Sequence, residues 1–317
     1  MLRGSPERTR VPAHKWRCLA FIALGAALLP LASGNGNAAD DEALYAAPTR
    51  MDRIGRVVAP VMINGRGPFR LVVDTGASHS TLSPSLMQEL GLSAEPGNML
   101  SLTGVTGTAE VPYVKVAELT AGAITLRDQK LPVVWSPIMG DTDGILGVAK
   151  LTSARIEVDF DTDRIAIRTR AGRGPDAKLY RVPTRRLDNG LLVLSASVGR
   201  VKTWAVFDTG AERTLGNNAL REALRARASD SITTSLTPVL GATPDIAMGE
   251  RLLAPAIALG GSVRLANAEI IFGDFKVFHS WNMQDEPALL LGMDIIGVMR
   301  AFAVDFGRSE IWLAPES

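Results

Sequence analysis

Apolar residues in this chain come in short runs rich in Val, Ile and Leu, and Gly, Pro, Asn or Asp breaks most of them. That spacing predicts strands joined by tight turns rather than long helices. Val57-Val58 and Val61-Met62-Ile63 make one run, Asn64-Gly65-Arg66-Gly67-Pro68 a turn, and Phe69 to Val73 the returning strand. Farther on, Leu191 to Val198, a turn at Gly199-Arg200, and Thr203 to Phe207 repeat the arrangement. A short helix follows each hairpin. Ser83-Pro84 supplies a cap and a first-turn proline, with Gly91 closing the helix, and Asn217 or Asn218 caps a counterpart running toward Arg225. Between Leu100 and Val116, Gly104 and Gly107 interrupt the pattern and predict a further hairpin. The matching stretch around Gly241-Ala242-Thr243-Pro244, with Gly249 beyond it, reads as less hairpin-like. The 5% aromatic content and the 30 glycines and 18 prolines favour the same class, an all-β protein with short helices.

Both main hairpins end in the same four residues, Asp74-Thr75-Gly76-Ala77 and Asp208-Thr209-Gly210-Ala211, each aspartate closing a buried apolar run. One Asp-Thr-Gly is ordinary turn chemistry. Two copies prompt a search for a longer repeat, and three further landmarks recur in order. Leu131-Pro132-Val133-Val134 matches Ala268-Glu269-Ile270-Ile271, Ile145-Leu146-Gly147 matches Leu290-Leu291-Gly292, and Val158-Asp159-Phe160 matches Val304-Asp305-Phe306. The offset grows from 134 at the motifs to 146 at the last landmark, as loop insertions would make it. We read an internal duplication with pseudo-two-fold symmetry: lobes at 39–172 and 191–317, joined by a polar linker at 173–190 whose arginines face solvent.

Residues 1–38 stand outside that repeat. Arg3, Arg8, Arg10, Lys15 and Arg17 precede an apolar stretch from Leu19 to Ala32, and Gly36-Asn37-Ala38 follows as a cleavage site. This is the order of a secretory signal peptide, with an uncleaved anchor the lesser alternative because the stretch is short of the ~20 residues a spanning helix needs. The single cysteine, Cys18, lies in the leader, so the mature chain has no disulfide, thiol nucleophile or cysteine metal site. Removing the leader leaves 29 basic against 32 acidic side chains, a balance of −3 that gives no electrostatic basis for nucleic-acid binding. An exported, cysteine-free, slightly acidic protein fits a bacterial periplasm.

A two-fold repeat brings equivalent loops face to face. Asp74 and Asp208 then meet, and two carboxylates in contact cannot both ionise, so one value falls, the other rises, and the pair shares a proton. The ionised member can deprotonate a water while the protonated one polarises a carbonyl oxygen, chemistry that requires neither metal nor cofactor. Gly76 and Gly210 let backbone N–H groups approach the carboxylates, and the Thr75 and Thr209 hydroxyls are placed to bond across the interface.

These motifs resemble those of retropepsin-like aspartic proteases. The family's Asp-Thr-Gly-Ala is followed three residues past the alanine by a hydroxyl side chain, as at Ser80 and Thr214. Its later hydrophobic-hydrophobic-Gly run, which backs the active-site loop, matches Ile145-Leu146-Gly147 and Leu290-Leu291-Gly292. The resemblance covers roughly 56–168 and 191–314. It implies a two-lobed acid-protease fold with Asp74 and Asp208 catalytic. It also implies interlocking Thr75 and Thr209, and a flap at Gly104-Val105-Thr106-Gly107. The substrate it implies is an extended peptide segment of a periplasmic protein or of the periplasmic domain of a membrane protein. Carrying both aspartates, the chain would act as a monomer, a fused form of the family's usual homodimer. Where pepsin-like members commonly have a hydroxyl residue, Ala77 and Ala211 cannot bond the outer carboxylate oxygens, so a mildly acidic pH optimum is expected.

The halves differ. Met293-Asp294 follows the second backing run where Val148-Ala149 follows the first, and Glu212 follows Ala211 where Ser78 follows Ala77. The cleft is therefore unequal, and one flap is expected to dominate. A serine hydrolase built on Ser78-His79-Ser80 is disfavoured, because neighbouring side chains are expected to diverge and no Gly-x-Ser-x-Gly elbow is present. A non-proteolytic periplasmic binding protein is the alternative from another class, although a pure binder has no need of two buried carboxylates.

Overall fold

Pairing between neighbouring apolar runs builds most of the chain. The computed structural model describes residues 46–48, 50–51, 55–148, 150–169, 179–226, 235–261 and 263–315, which fall within one compact unit, Glu42–Ser317. The leader, its cleavage site and the first part of the linker lie outside the described residues, as does Ala149. The described chain is all-β with a few short helices.

Each motif is delivered by a hairpin and a parallel neighbour. Val57–Ile63 pairs antiparallel with Arg66–Asp74, Val58 facing Val72. Gly144–Gly147 runs parallel on the other side, Val73 facing Leu146 and Asp74 facing Gly147. In the second half Leu192–Val198 pairs with Val201–Phe207, and Ala288–Leu291 runs parallel beside it with Phe207 facing Leu291. Where these strands near the motifs they are flanked on both sides and covered on both faces, so Leu71, Val72 and Val73 have no exposed area, nor do Leu289, Leu290 and Leu291. The approach to each aspartate is thereby rigid.

A six-stranded sheet underlies both halves, in the order Ala46–Pro48, Arg164–Thr169, Ala154–Asp159, Met299–Asp305, Glu310–Pro315, Tyr180–Val182. Its central pair has Glu157 facing Ala303 and Arg155 facing Asp305. At the sequence offset of 146 Glu157 and Ala303 are equivalents, so the pairing maps onto itself when the halves are exchanged. Arg155 and Asp305 form a buried ion pair across this seam, Nη2 to Oδ2 at 3.0 Å. Phe302 packs edge-on to Phe207 with ring centroids 5.1 Å apart, coupling the sheet to the residue just before Asp208.

The helices fall where the capping signals put them. Ser83 Oγ accepts from Leu86 N at 3.1 Å to open Pro84–Glu89, and Gly91 beyond its end has φ +68°. Asn217 Oδ1 accepts from Leu220 N at 2.9 Å to open Asn218–Arg225. Two shorter helices, Lys276–Ser280 and Met293–Ile296, carry no side-chain cap and were not anticipated.

Three expectations change. Ser235–Leu240 and Ile246–Leu253 pair in unbroken register from Ser235–Arg251 to Leu240–Ile246, so the second hairpin is as regular as the first; the glycine at 249 lies within its strand. The described part of the linker keeps Arg181, Arg185 and Arg186 exposed, as expected, but it has regular structure of its own. Tyr180–Val182 and Thr184–Arg186 add to the free edges of Glu310–Pro315 and Leu192–Val198, where unpaired backbone groups favour an added strand. Arg185 stacks on Trp204 at 4.4 Å and Arg186 donates to Phe306 O. The match of Leu131–Val134 to Ala268–Ile271 is two residues out. Val134 N bonds Leu82 O where Gly273 N bonds Gly216 O, because the loops before these strands differ in length.

Phe302→Ala should lower unfolding free energy by ~3–5 kcal/mol, the usual cost of emptying a buried aromatic site. Equilibrium urea unfolding measures it, and a loss under ~1 kcal/mol would show that Phe302 does not support the Asp208 strand.

Candidate active site

Four backbone-directed hydrogen bonds lock the two motif loops together. Thr75 Oγ1 donates to Phe207 O at 2.5 Å and accepts from Thr209 N at 3.1 Å. Thr209 Oγ1 donates to Val73 O at 2.5 Å and accepts from Thr75 N at 3.2 Å. Both threonines are buried, so these bonds work in a medium where an unmade one is costly. Within each loop Gly76 N reaches Asp74 Oδ1 and Gly210 N reaches Asp208 Oδ1, both at 2.9 Å.

The glycines have a second role that the sequence does not show. A β-carbon at Gly76 would stand 2.4 Å from Asp208 Oδ2, and one at Gly210 would stand 2.2 Å from Asp74 Cγ. Each carboxyl therefore occupies the space that a side chain on the opposite loop would need, and the two are hydrogen-bonded to each other. Burial lifts Asp208 well above the usual carboxylate range, and the charge and hydrogen bond of Asp74 push the same way. Burial also lifts Asp74, but the hydrogen bond from Asp208, the Gly76 amide and the Arg56 cation oppose it. The expected split into one lowered and one raised value gives way to two raised values, since desolvation weighs on both groups. The pair holds a proton where isolated carboxyls would have lost it.

Behind each loop the hydrophobic-hydrophobic-Gly run presses on the motif. Gly147 lies against the backbone of His79, and Gly292 against that of Arg213; a β-carbon would stand 2.4 and 2.5 Å from their carbonyl carbons. Val148 N bonds Ala77 O at 3.0 Å and Met293 N bonds Ala211 O at 2.8 Å. Ser80 Oγ accepts from Gly147 N, and Thr214 Oγ1 from Gly292 N, both at 3.1 Å. Thr214 also donates to Asp294 Oδ1 at 2.7 Å, and burial raises the Asp294 carboxyl above its ordinary value. Ile145 and Leu290 face the cores beside the loops, and Leu146 and Leu291 fill the packing beneath them.

Both hairpins of the second kind close over the aspartates. Met99–Thr103 and Thr108–Ala121 turn at residues 104–107, and the hairpin from Ser235 turns at residues 241–245. The tips meet: Thr106 Oγ1 lies 3.2 Å from Thr243 Oγ1, and Ser136 Oγ donates to Gly241 O at 2.9 Å. Gly104 N bonds Gly107 O at 2.9 Å and closes the first tip. Val277 N reaches Val105 O at 3.4 Å, so the helix Lys276–Ser280 also supports it. Neither hairpin dominates. Beneath them a cavity of about 550 Å³ contains Asp74, Asp208, Gly76, Gly210, Ala77 and Ala211, with Ser101 to Val105 on one side and Thr237 to Ala242 on the other.

Several residues lining this cavity were not anticipated as site residues: Arg56, Ile138, Asn189, Leu191 and Trp281. Arg56 is 2% exposed, and its guanidinium donates to Ile138 O at 2.5 Å. A signal for it existed in the hairpin, because an arginine heading a strand that faces the motif strand is an unusual buried cation. Ser78 and His79 do not diverge as expected; Ser78 Oγ lies 3.0 Å from His79 Nδ1 on an exposed bend. Among the described residues no carboxylate bonds that ring, and His279, the other described histidine, pairs with Asp274. Among the described residues no three His, Cys, Asp or Glu side chains converge, and no helix is long and apolar enough to cross a membrane.

Residues 59–149 match a family model described as aspartyl protease. The matched stretch holds the first motif, its flap and its backing run, and ends before the second motif. No match was found among curated proteins.

A buried carboxyl with a raised value binds its proton more tightly folded than unfolded. Its favourable contribution is present below the unfolded value and is lost as pH rises through the folded one. Asp208→Asn removes that penalty, so its melting temperature should equal or exceed wild type at pH 8, with the gap closing toward pH 4. A variant less stable at both pH values would show that the carboxyl is held by favourable bonds instead.

Proposed function

We propose that this chain is an aspartic endopeptidase of the retropepsin-like kind, formed by duplication of one lobe and active as a monomer. The observation that carries the reading is the meeting of Asp74 and Asp208, each seated against the other loop's glycine beneath two closed hairpins. The aspartyl-protease match over residues 59–149 supports it. So do the self-mapping pair Glu157–Ala303 and the repeated parallel strands, which are what a duplicated lobe would leave.

In this reading the ionised carboxylate takes a proton from water as its oxygen attacks the amide carbon, and the protonated carboxyl hydrogen-bonds the carbonyl oxygen. The strands of the two hairpins hold the substrate extended by backbone bonding. Desolvation under the tips strengthens each of these interactions. The substrates are extended segments of periplasmic proteins, reached after export by the signal peptide at residues 1–38. A peptide-binding protein retaining the fold is the second reading; the contact of two carboxyls with Asp208 buried, costly in a mere binder, counts against it.

Asp74→Asn and Asp208→Asn should each reduce hydrolysis of a casein or fluorogenic peptide library by several orders of magnitude, and the double variant should be no worse. Pepstatin-type inhibitors should block the wild type. Peptide binding without cleavage by wild type at any pH between 3 and 8 would establish the binding-protein reading instead. Activity per chain should be constant on dilution; a fall tracking dissociation by light scattering would rule out the monomer.

A further inference from the structure

The hairpin register singles out Arg56. Val58 facing Val72 is the end of the ladder, and extending that register by two residues sets Arg56, just ahead of its strand, opposite Asp74, where cross-strand neighbours share a face. In the second half Val193 faces Val206, and the same step brings Leu191 opposite Asp208. Both residues are buried, at 2% and 1% exposed, and both line the cavity. The two half-sites therefore present a buried cation beside one aspartate and an aliphatic side chain beside the other.

Much else around the pair is matched. Each carboxyl receives the amides of its own loop, Gly76 and Ala77 for Asp74, Gly210 and Ala211 for Asp208. The other charged or titratable side chains lining the cavity are His79, Glu212, Arg213 and Arg251. Arg213 lies 3.4 Å from Glu212, Arg251 lies 4.0 Å from Glu269, and burial together with Lys150 holds His79 toward its neutral form. Of the cations, Arg56 is the one whose charge acts on Asp74.

We propose that Arg56 is a positioning residue of the dyad: set opposite Asp74 where the second half has Leu191, it keeps the pair's negative charge on Asp74 and the shared proton on Asp208. Its bond to Ile138 O fixes the guanidinium in that place. The assignment rests on the peptidase reading for its effect on rate, and it gives the two aspartates distinct tasks. Asp74 takes a proton from water while the water oxygen bonds the amide carbon; the carbonyl π pair moves onto oxygen, which takes the Asp208 proton. Asp208, now ionised, accepts a proton from the resulting diol as the C–N bond breaks, and Asp74 returns its proton to the amine nitrogen. Both groups are then back in their starting states.

Carbon-13 NMR of Cγ-labelled aspartate, assigned with Asp74→Asn and Asp208→Asn, reads the charges without substrate. Between the two dyad titration steps, Asp74 in the wild type should carry the ionised carboxyl shift and Asp208 the protonated one. Arg56→Gln keeps a donor for Ile138 O without the charge, and Arg56→Lys keeps the charge. The first dyad ionisation and the acid limb of kcat/KM should move up by about a unit in Arg56→Gln and stay within about a few tenths of a unit of wild type in Arg56→Lys. A proton resting on Asp74 in the wild type overturns the proposal, as does an unmoved titration in folded Arg56→Gln or equal shifts in both variants. Should the Arg56 variants fail to fold, the wild-type spectrum decides. Absence of peptide cleavage with the expected wild-type spectrum would defeat the peptidase reading and leave the charge assignment standing.

Discussion

Thr75 and Thr209 each have one hydroxyl proton and two backbone neighbours to satisfy, and both turn to the opposite half for them. That exchange fixes how closely Asp74 and Asp208 approach, since each aspartate is adjacent in sequence to a threonine held by the other strand. The rest of the structure is arranged so that the exchange cannot relax. The strand residues just before both loops, Leu71 to Val73 and Ala205 to Phe207, are fully buried, and the backing glycines press directly on the loop backbone. With the loops immobile, two acidic groups are forced together in a buried place, and the raised proton affinity of the pair follows from that constraint.

The frame is close to symmetric while the contents of the cleft are not. Glu157 facing its own equivalent Ala303 places the symmetry at the seam of the six-stranded sheet. The buried Arg155–Asp305 pair crosses that seam, and the desolvation of both charges offsets much of its attraction. Above it, equivalent positions hold Arg56 and Leu191, Ser78 and Glu212, His79 and Arg213. Ser80 and Thr214 also diverge in what they hold, because Thr214 has Asp294 to donate to.

Much of this was legible in the residues. The hairpins, the capped helices, the two motifs and their backing runs follow from alternation, turn chemistry and repetition, which are local signals. What the sequence did not disclose depends on distance in space. The regularity of the second hairpin is set by pairing with a partner strand, and Gly249 lies within that strand, where Ile271 and Phe272 leave no room for a side chain. The strands at 180–182 and 184–186 form because edges built elsewhere in the chain offer them partners. Arg56 was visible as a residue but not as part of a site, since its place opposite Asp74 needs the hairpin register, and its burial needs the turn that carries Ile138. The reason for Gly76 and Gly210 was only half visible: backbone approach was foreseen, but not that each makes room for the other half's carboxyl.

A peptide has a direction, from amino to carboxyl end, whereas a two-fold site has none. A strictly symmetric cleft would take an extended substrate equally well either way round, and each aspartate would serve as base in half of the encounters. Carrying both half-sites in one chain removes the requirement that they be identical, so each can acquire its own neighbours. In the peptidase reading, the charge difference between the Arg56 and Leu191 sides distinguishes the aspartates. Glu212 and Arg213, opposed to Ser78 and His79, distinguish the two ends of the cleft. In that reading, reversing the peptide about the two-fold axis changes which carboxyl its carbonyl oxygen meets, so only one direction sets that oxygen against the protonated partner. In that reading, chemical asymmetry at the dyad and side-chain asymmetry along the cleft both act on substrate orientation, which a site with identical halves could not do.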